Sequence, residues 1–511
     1  MTRRDFFPVT LSVSAVSALF AQSEFSADIA IIGGGVGGCA AALAAVRTGL
    51  KVILTEETDW LGGQLTSQAV PPDEHPWIER FGCTRSYRHY RNAVRDYYRA
   101  HYKLTSAARA RFELNPGNGS VSRLTHEPRV SLAVLEGMLA PYINDGSLQL
   151  LLRHAPLTAS TSGDHVASVT LRDLSQNISR TVIAKYFLDA TETGELLPLT
   201  NAEFVTGAEA RAQTQELHAQ RQALPSNNQA FTFCFAMDYL EGEDHTIEKP
   251  RDYALWRSYV PKLDPPWTGP LLSWSMCDPK TLEKRAAYFV PNPTGSDLPG
   301  LNLWTYRRIL ARANFEPGLY PSDISLVNWP QNDYWVGDLL TATPEQKQEF
   351  LRQGRQLSLS LLYWMQTEAP SPDGKQGWKG LRLRKDIVGT DDGLAKAAYI
   401  RESRRIKAEF TIQEQHVGAD MRLNSQNGEE QTSAPRFEDS VGIGCYRIDL
   451  HPAVGGTNYI DVSSLPFQIP LGALLPAGAG IRVGVARIHP VEIKLVTLPV
   501  SLQQKGRYSV W

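Results

Sequence analysis

Hydrophobic and polar positions fall into blocks over the first 60 residues, and the blocks predict three elements. Asp28-Ile29-Ala30-Ile31-Ile32 is an apolar run of strand length. Gly33-Gly34-Gly35-Val36-Gly37-Gly38 interrupts it, and an Ala-rich stretch over 39–47 follows, with Gly49 placed to stop a helix. A second apolar run, Lys51-Val52-Ile53-Leu54-Thr55, ends in Glu56. The order is strand, glycine turn, helix, strand, acid.

The pattern continues with a helix over 79–102, rich in Arg and Tyr, and an amphipathic helix over 130–140 that Pro141 should end. A strand over 148–152 precedes two paired strands, 166–171 and 180–188, joined by a polar turn. The second leads into Asp189-Ala190-Thr191-Glu192-Thr193-Gly194-Glu195-Leu196. From about 206 to 430 the composition changes. Eight of the 11 tryptophans fall there, with frequent prolines, which reads as an inserted domain. Aromatic planes of this kind line pockets or fill cores, and both readings are open. Helices are expected over 358–366 and 400–416, a loop over 370–374, and strands over 459–462 and 467–470. The expected division is 27–205 for the first part of a cofactor domain, 206–430 for an inserted α+β substrate domain, and 431–511 for a return to the first.

Charge is nearly balanced, with 52 Lys and Arg against 54 Asp and Glu. That argues against nucleic acid or an anionic membrane as the main partner. Residues 1–21 stand apart. Arg3-Arg4 before a short apolar segment resembles a twin-arginine export signal, which predicts a periplasmic or extracellular protein. After it no apolar run is long enough to span a membrane, so a protein without a transmembrane segment is expected. The five cysteines include no C-x-x-C pair, so neither an iron–sulfur cluster nor a metal site is expected.

The glycine block has a chemical reading. Gly33 lets the chain turn off the strand, Gly35 lets backbone approach a pyrophosphate, and Gly38 lets the helix pack close to the sheet. The helix N-terminus offers free N–H groups to phosphates. Glu56, 18 residues past Gly38, is spaced to accept ribose hydroxyls. Gly62-Gly63-Gln64 follows where flavoproteins fold the chain back over the pyrophosphate, and Ala190 to Gly194 is where such a chain returns to the cofactor. These features favour FAD over a nicotinamide cofactor, which remains the alternative. The Gly478-Ala479-Gly480 loop lacks a following helix and strand–acid pair, so no second nucleotide site is expected.

Several longer strings carry a resemblance. They include Leu61-Gly62-Gly63-Gln64, Asp189-Ala190-Thr191-Glu192, Asn328-Trp329-Pro330-Gln331-Asn332-Asp333-Tyr334, Tyr399-Ile400-Arg401-Glu402-Ser403-Arg404-Arg405-Ile406 and Phe467-Gln468-Ile469-Pro470. Over residues 27–492 the chain resembles bacterial FAD-dependent oxidoreductases of the heterodisulfide reductase A-like group. The resemblance implies an α/β, FAD/NAD(P)-binding Rossmann-like fold of the glutathione reductase type. It also implies FAD as cofactor, a small-molecule substrate giving hydride to the flavin, and oxygen or an electron carrier as acceptor. The family string His489-Pro490-Val491-Glu492 places His489 by the flavin ring as a candidate base, with a structural histidine at a turn as the other reading. Arg85, Arg88 and Arg401 are candidate holders of an anionic group or ordinary structural ion pairs. The residues after 492 lack the small-residue helix of the family, so a third reading is an FAD fold with an altered C-terminus and little activity.

Overall fold

In the computed structural model, residues 24–163, 165–293, 299–423, 435–477, 495–497 and 508–509 are described. Residues 1–21, where an export signal is expected, the 478–480 loop and His489 lie outside them.

The first block of the sequence folds as its pattern requires. Strand β1 (Glu24–Ile32) runs through the glycine turn into helix α1 (Val36–Arg47), and the chain returns as β2 (Val52–Glu56). β1 and β2 pair in parallel, with Ile29 opposite Val52. Every residue of β2 is buried, as expected of a parallel strand covered on both faces.

Helix α2 (Arg85–His101) is shorter than its pattern predicts, because Gly82 at φ +81° turns the chain and Thr84 caps the helix through the Tyr87 N–H. After a short helix α3 (Ser106–Ala110), helix α4 (Pro128–Asn144) differs in the other direction: Pro141 lies inside it. A proline there removes one hydrogen bond, yet Asp145 N–H still reaches the Pro141 carbonyl at 3.1 Å, and Leu139 and Tyr142 hold the last turn against the core.

Strand β3 (Leu148–Leu152) then joins β2 in parallel. Strands β4 (His154–Ser162), β5 (His165–Asp173) and β6 (Ile178–Asp189) form an antiparallel meander, and β6 also pairs in parallel with β1. The sheet order is β3-β2-β1-β6-β5-β4, and the short strand Leu495–Thr497 lies parallel to the end of β6. Consequently the carboxyl ends of β1 and β6 are neighbours, with Ile32 opposite Asp189.

A second core lies around the antiparallel strands Arg308–Leu310, Ile324–Val327, Phe235–Tyr239 and Leu381–Leu383 and the helix Pro344–Thr367. All eight tryptophans of 206–430 pack in or against it. The indole N–H groups of Trp256, Trp267, Trp304 and Trp329 are buried without a hydrogen-bond partner among the described residues. These rings act as bulk apolar filling.

The helix expected over 400–416 does not form. Tyr399 instead bridges to Thr232, Arg405–Ile406 pairs with Phe204–Val205, and only Glu414–Val417 is helical. Buried partners for Arg401 favour an extended chain there over local helix propensity.

Candidate functional site

The glycine turn is fixed from three sides. Gly33 has φ +108°, and a Cβ on it would stand 2.1 Å from the Ala190 carbonyl oxygen. A Cβ on Gly38 would stand 2.0 Å from the Gly33 carbonyl oxygen. Both positions are closed to any side chain, so the first turn of α1 lies directly on β1 and β6. Gly35 is the N-cap residue and contributes no side-chain cap, leaving the first N–H groups of α1 without intrahelical partners.

Glu56 closes the same turn from β2. Its carboxylate accepts the Gly34 N–H at 3.1 Å and the Thr58 N–H and hydroxyl at 2.8 Å each. Burial pushes its carboxyl up to about 7, and the Glu192 charge acts in the same direction. Across the turn, Asp189 accepts from Thr191 and from Leu196 N–H, and burial raises it to about 6.

The second glycine pair sits on the first. Gly62 N–H donates to the Gly34 carbonyl at 2.8 Å. A Cβ on Gly63 would stand 2.7 Å from a Glu192 carboxylate oxygen and 3.0 Å from the Gly35 Cα. Gln64 and Gln68 follow in this loop. Both are buried, and neither carboxamide has a hydrogen-bond partner among the described residues. Buried amides left unpaired in this way cost on the order of 1–3 kcal/mol each, which marks the loop as built to meet a further polar group.

A cavity of about 380 Å³ opens beside the turn. Gly33, Gly35, Glu56 and Ala190 line it, together with Ser67 and Gln68. Gly38, Gly62, Gly63 and Gln64 lie behind this lining rather than in it. Gly194 is set apart: at φ +66° it turns the chain where Arg404 packs and donates to the Thr193 carbonyl. The opposite wall comes from far along the chain, with Phe233, Arg355, Lys396 and Ile400. Arg355 lies 4.3 Å over the Phe233 ring and pairs with Asp392, and Lys347 pairs with Glu195 at 3.2 Å. No local sequence signal marks Gln68, Phe233 or Lys396, because their relevance depends on which distant segments meet.

Other candidates are elsewhere. Arg85 is exposed on α2 and does not line the cavity. Arg88 pairs with Glu79, and the neighbouring Arg91 and Arg95 complete a buried ion network with Glu74 and Glu79. Arg401 is buried against Asp333 at 2.9 Å. These are structural pairs. Cys39 donates to the Gly34 carbonyl at 3.3 Å, and burial raises its thiol far above the usual range, so it behaves as a small apolar residue. All five cysteines are free. Among the described residues no group of three or more His, Cys, Asp or Glu side chains is arranged to hold a metal, and no helix is long and apolar enough to cross a membrane.

Comparison with known proteins matches residues 28–485 to the family described as FAD dependent oxidoreductase. No curated protein matches the chain. Partial likenesses to solved structures include L-proline dehydrogenase from P. horikoshii, at 18% identity over 37% of this chain and 24% of that one, TM-score 0.19. Another is the flavin-dependent monooxygenase PieE in complex with FAD and substrate, at 14% identity over 42% of this chain and 35% of that one, TM-score 0.24. A third is the myxobacterial chondrochloren halogenase CndH, at 14% identity over 44% of this chain and 45% of that one, TM-score 0.23. The chain spans less than half the length of each, and at these scores they carry no argument. The family match covers most of the chain. This protein belongs to the FAD-dependent oxidoreductase family, with FAD as its cofactor.

Proposed function

We propose that the chain is a dehydrogenase or oxidase that takes hydride directly from a small organic substrate, with FAD held in the glycine-lined cavity. The observation that carries this reading is the pair of unpartnered, buried carboxamides beside the closed glycine turn. The residues present fit the group. Gly33 to Gly35 and the open N-terminus of α1 suit the pyrophosphate. Glu56 accepts from Gly34 and twice from Thr58, which leaves one acceptor position on Oε2 for a ribose hydroxyl. Gln68, and Gln64 behind it, can each donate and accept toward a heterocycle or ribityl chain.

When bound, FAD supplies the hydride acceptor. The chain's own residues bind, orient and exclude water: Phe233, Leu339 and Ile400 give an apolar wall, and Lys396 and Arg355 line it as ion pairs with Asp59 and Asp392. His489, the candidate base read from the sequence, lies outside the described residues. Oxygen or an electron carrier completes the cycle.

Within the family, membership of the heterodisulfide reductase A-like group, a glutathione reductase-type fold and a substrate domain inserted over 206–430 are part of this proposal. So is export through the Arg3-Arg4 segment. Visible absorbance of the purified protein and identification of the released cofactor test the central claim. Colourless protein that FAD cannot reconstitute would defeat it.

A further inference from the structure

The stretch that gives Ile400 to the glycine-lined cavity gives Arg401 to a second one, of about 290 Å³. Its floor carries an oriented imidazole. His451 Nδ1 lies 2.7 Å from Asp333 Oδ2. Asp333 is fully buried, and its other oxygen is held by Arg401 at 2.9 Å and by the Thr232 hydroxyl at 2.5 Å. Arg401 in turn donates to Ala230, Thr232 and Asn328, so the carboxylate cannot turn away. His451 is pinned through its backbone as well, since its N–H donates to the Gln229 side chain at 3.1 Å.

This arrangement puts the proton on Nδ1 and leaves the Nε2 lone pair to accept. Asp449 Oδ1 is 4.0 Å from Nε2, too far for a hydrogen bond, and no described residue is a closer partner. The charged and titratable groups around the ring are Asp333, Arg401, Asp449 and Tyr459, whose ring centroid lies 5.2 Å away. Burial, reinforced by Arg401, holds the imidazole below its ordinary range and therefore neutral.

The rest of the cavity sets the ligand's character. Ile412, Ile448, Leu450, Ile460 and Val462 make it largely apolar. Its charged lining has four carboxylates, Glu209, Glu216, Glu402 and Glu414, against the two guanidinium groups of Arg401 and Arg405. Arg405 is engaged by Glu402 at 2.6 Å, and Arg401 by Asp333, so neither is open to an anion. A carboxylate ligand would find surplus negative charge and no free cation in this lining.

We infer that this cavity is a binding site for a small molecule with an apolar body and one hydrogen-bond-donating head, an ammonium or a hydroxyl, which donates to Nε2 of His451. The site is separate from the cofactor proposal, because it draws on none of the glycine-turn residues.

Butylamine, 1-butanol and butyrate share an apolar body and differ in the head, so they serve as probes on the purified full chain. Carbethoxylation of His451 by diethylpyrocarbonate, followed by peptide mass, reports access to Nε2. Butylamine or 1-butanol should slow modification of His451 about threefold at twice its apparent Kd, measured relative to the exposed His89 in the same sample so that reagent consumed by the amine cancels, and butyrate should not. Protection by the amine alone narrows the head to ammonium, and protection by both identifies the donor hydrogen bond as the shared requirement. Saturation-transfer NMR should show the protecting probe bound to the wild type and lost in His451→Gln. Absence of protection by both donor probes, or equal protection by butyrate, overturns the inference. Flavin absorbance recorded on the same samples keeps this result independent of the cofactor reading.

Discussion

Gly62 and Gly34 are joined by a backbone hydrogen bond of 2.8 Å, so the second glycine pair is clamped onto the first. Residues 28 apart in sequence thereby form one unit, with Glu56 bonded to the same Gly34 from the strand between them. Apart from the Glu56 carboxylate the unit is made of backbone, and it tolerates no side chain at its glycine contacts.

Gly33→Ala should remove flavin binding. The new Cβ would meet the Ala190 carbonyl at 2.1 Å in a left-handed backbone. Gly49→Ala shares the positive φ, at +85°, but faces open space, so it should lose only about 1 kcal/mol of stability and keep its flavin. Flavin-to-protein absorbance ratios and thermal melts of both variants check the contrast.

Gln68→Leu separates cofactor from scaffold. The carboxamide is fully buried and unpartnered, so its removal should stabilise the flavin-free protein by roughly 1 kcal/mol or more. The same change should weaken FAD binding by about tenfold, the worth of one good hydrogen bond. Melting of the flavin-free protein and fluorescence titration with FAD read the two effects separately.

Glu56 gives a pH dependence of known sign. Its folded pKa, about 7, lies above the ordinary value of 4.5. The folded state therefore holds the proton more tightly, and this contribution is complete below 4.5 and lost as pH rises through 7. Asp189, raised to about 6, acts in the same direction. Glu56→Gln in flavin-free protein should flatten the fall in stability between pH 5 and 7, by on the order of 1 kcal/mol per pH unit. Urea midpoints at several pH values measure it, and an unchanged slope would refute the assignment.

Arg91 and Arg85 should behave oppositely although both belong to α2. Arg91 is completely buried between Glu74 and Glu79, so Arg91→Ala leaves two buried carboxylates short of a partner and should cost about 3–5 kcal/mol. Arg85 is exposed, and Arg85→Ala should stay within about 0.5 kcal/mol. Denaturant unfolding of the two variants tests the pair, and an equal loss would mean that Arg85 has a role beyond the surface.

The strand–glycine–helix–strand–acid unit was legible in the sequence because each part follows from local rules. Apolar runs of strand length, a glycine at positive φ and a carboxylate at a fixed spacing need no knowledge of the rest of the chain. The paired strands 166–171 and 180–188 and their turn at Asp173 to Asn177 were legible for the same reason, whereas the third strand of the meander, His154–Ser162, was not. The helix expected over 400–416 was not, since propensity there yields to the burial of Arg401 on Asp333.

The sequence by itself determined the βαβ unit, the approach of Glu56 to the glycine turn, and the resemblance that points to FAD. Only the tertiary structure decided what faces that turn: Gln68 from the next loop, Phe233, Arg355 and Lys396 from more than 150 residues further on, and the pairing of His451 with Asp333. Periodicity reports the environment of one segment at a time. A cavity is a property of segments brought together, and its chemistry is set by which side chains find partners and which are left without one.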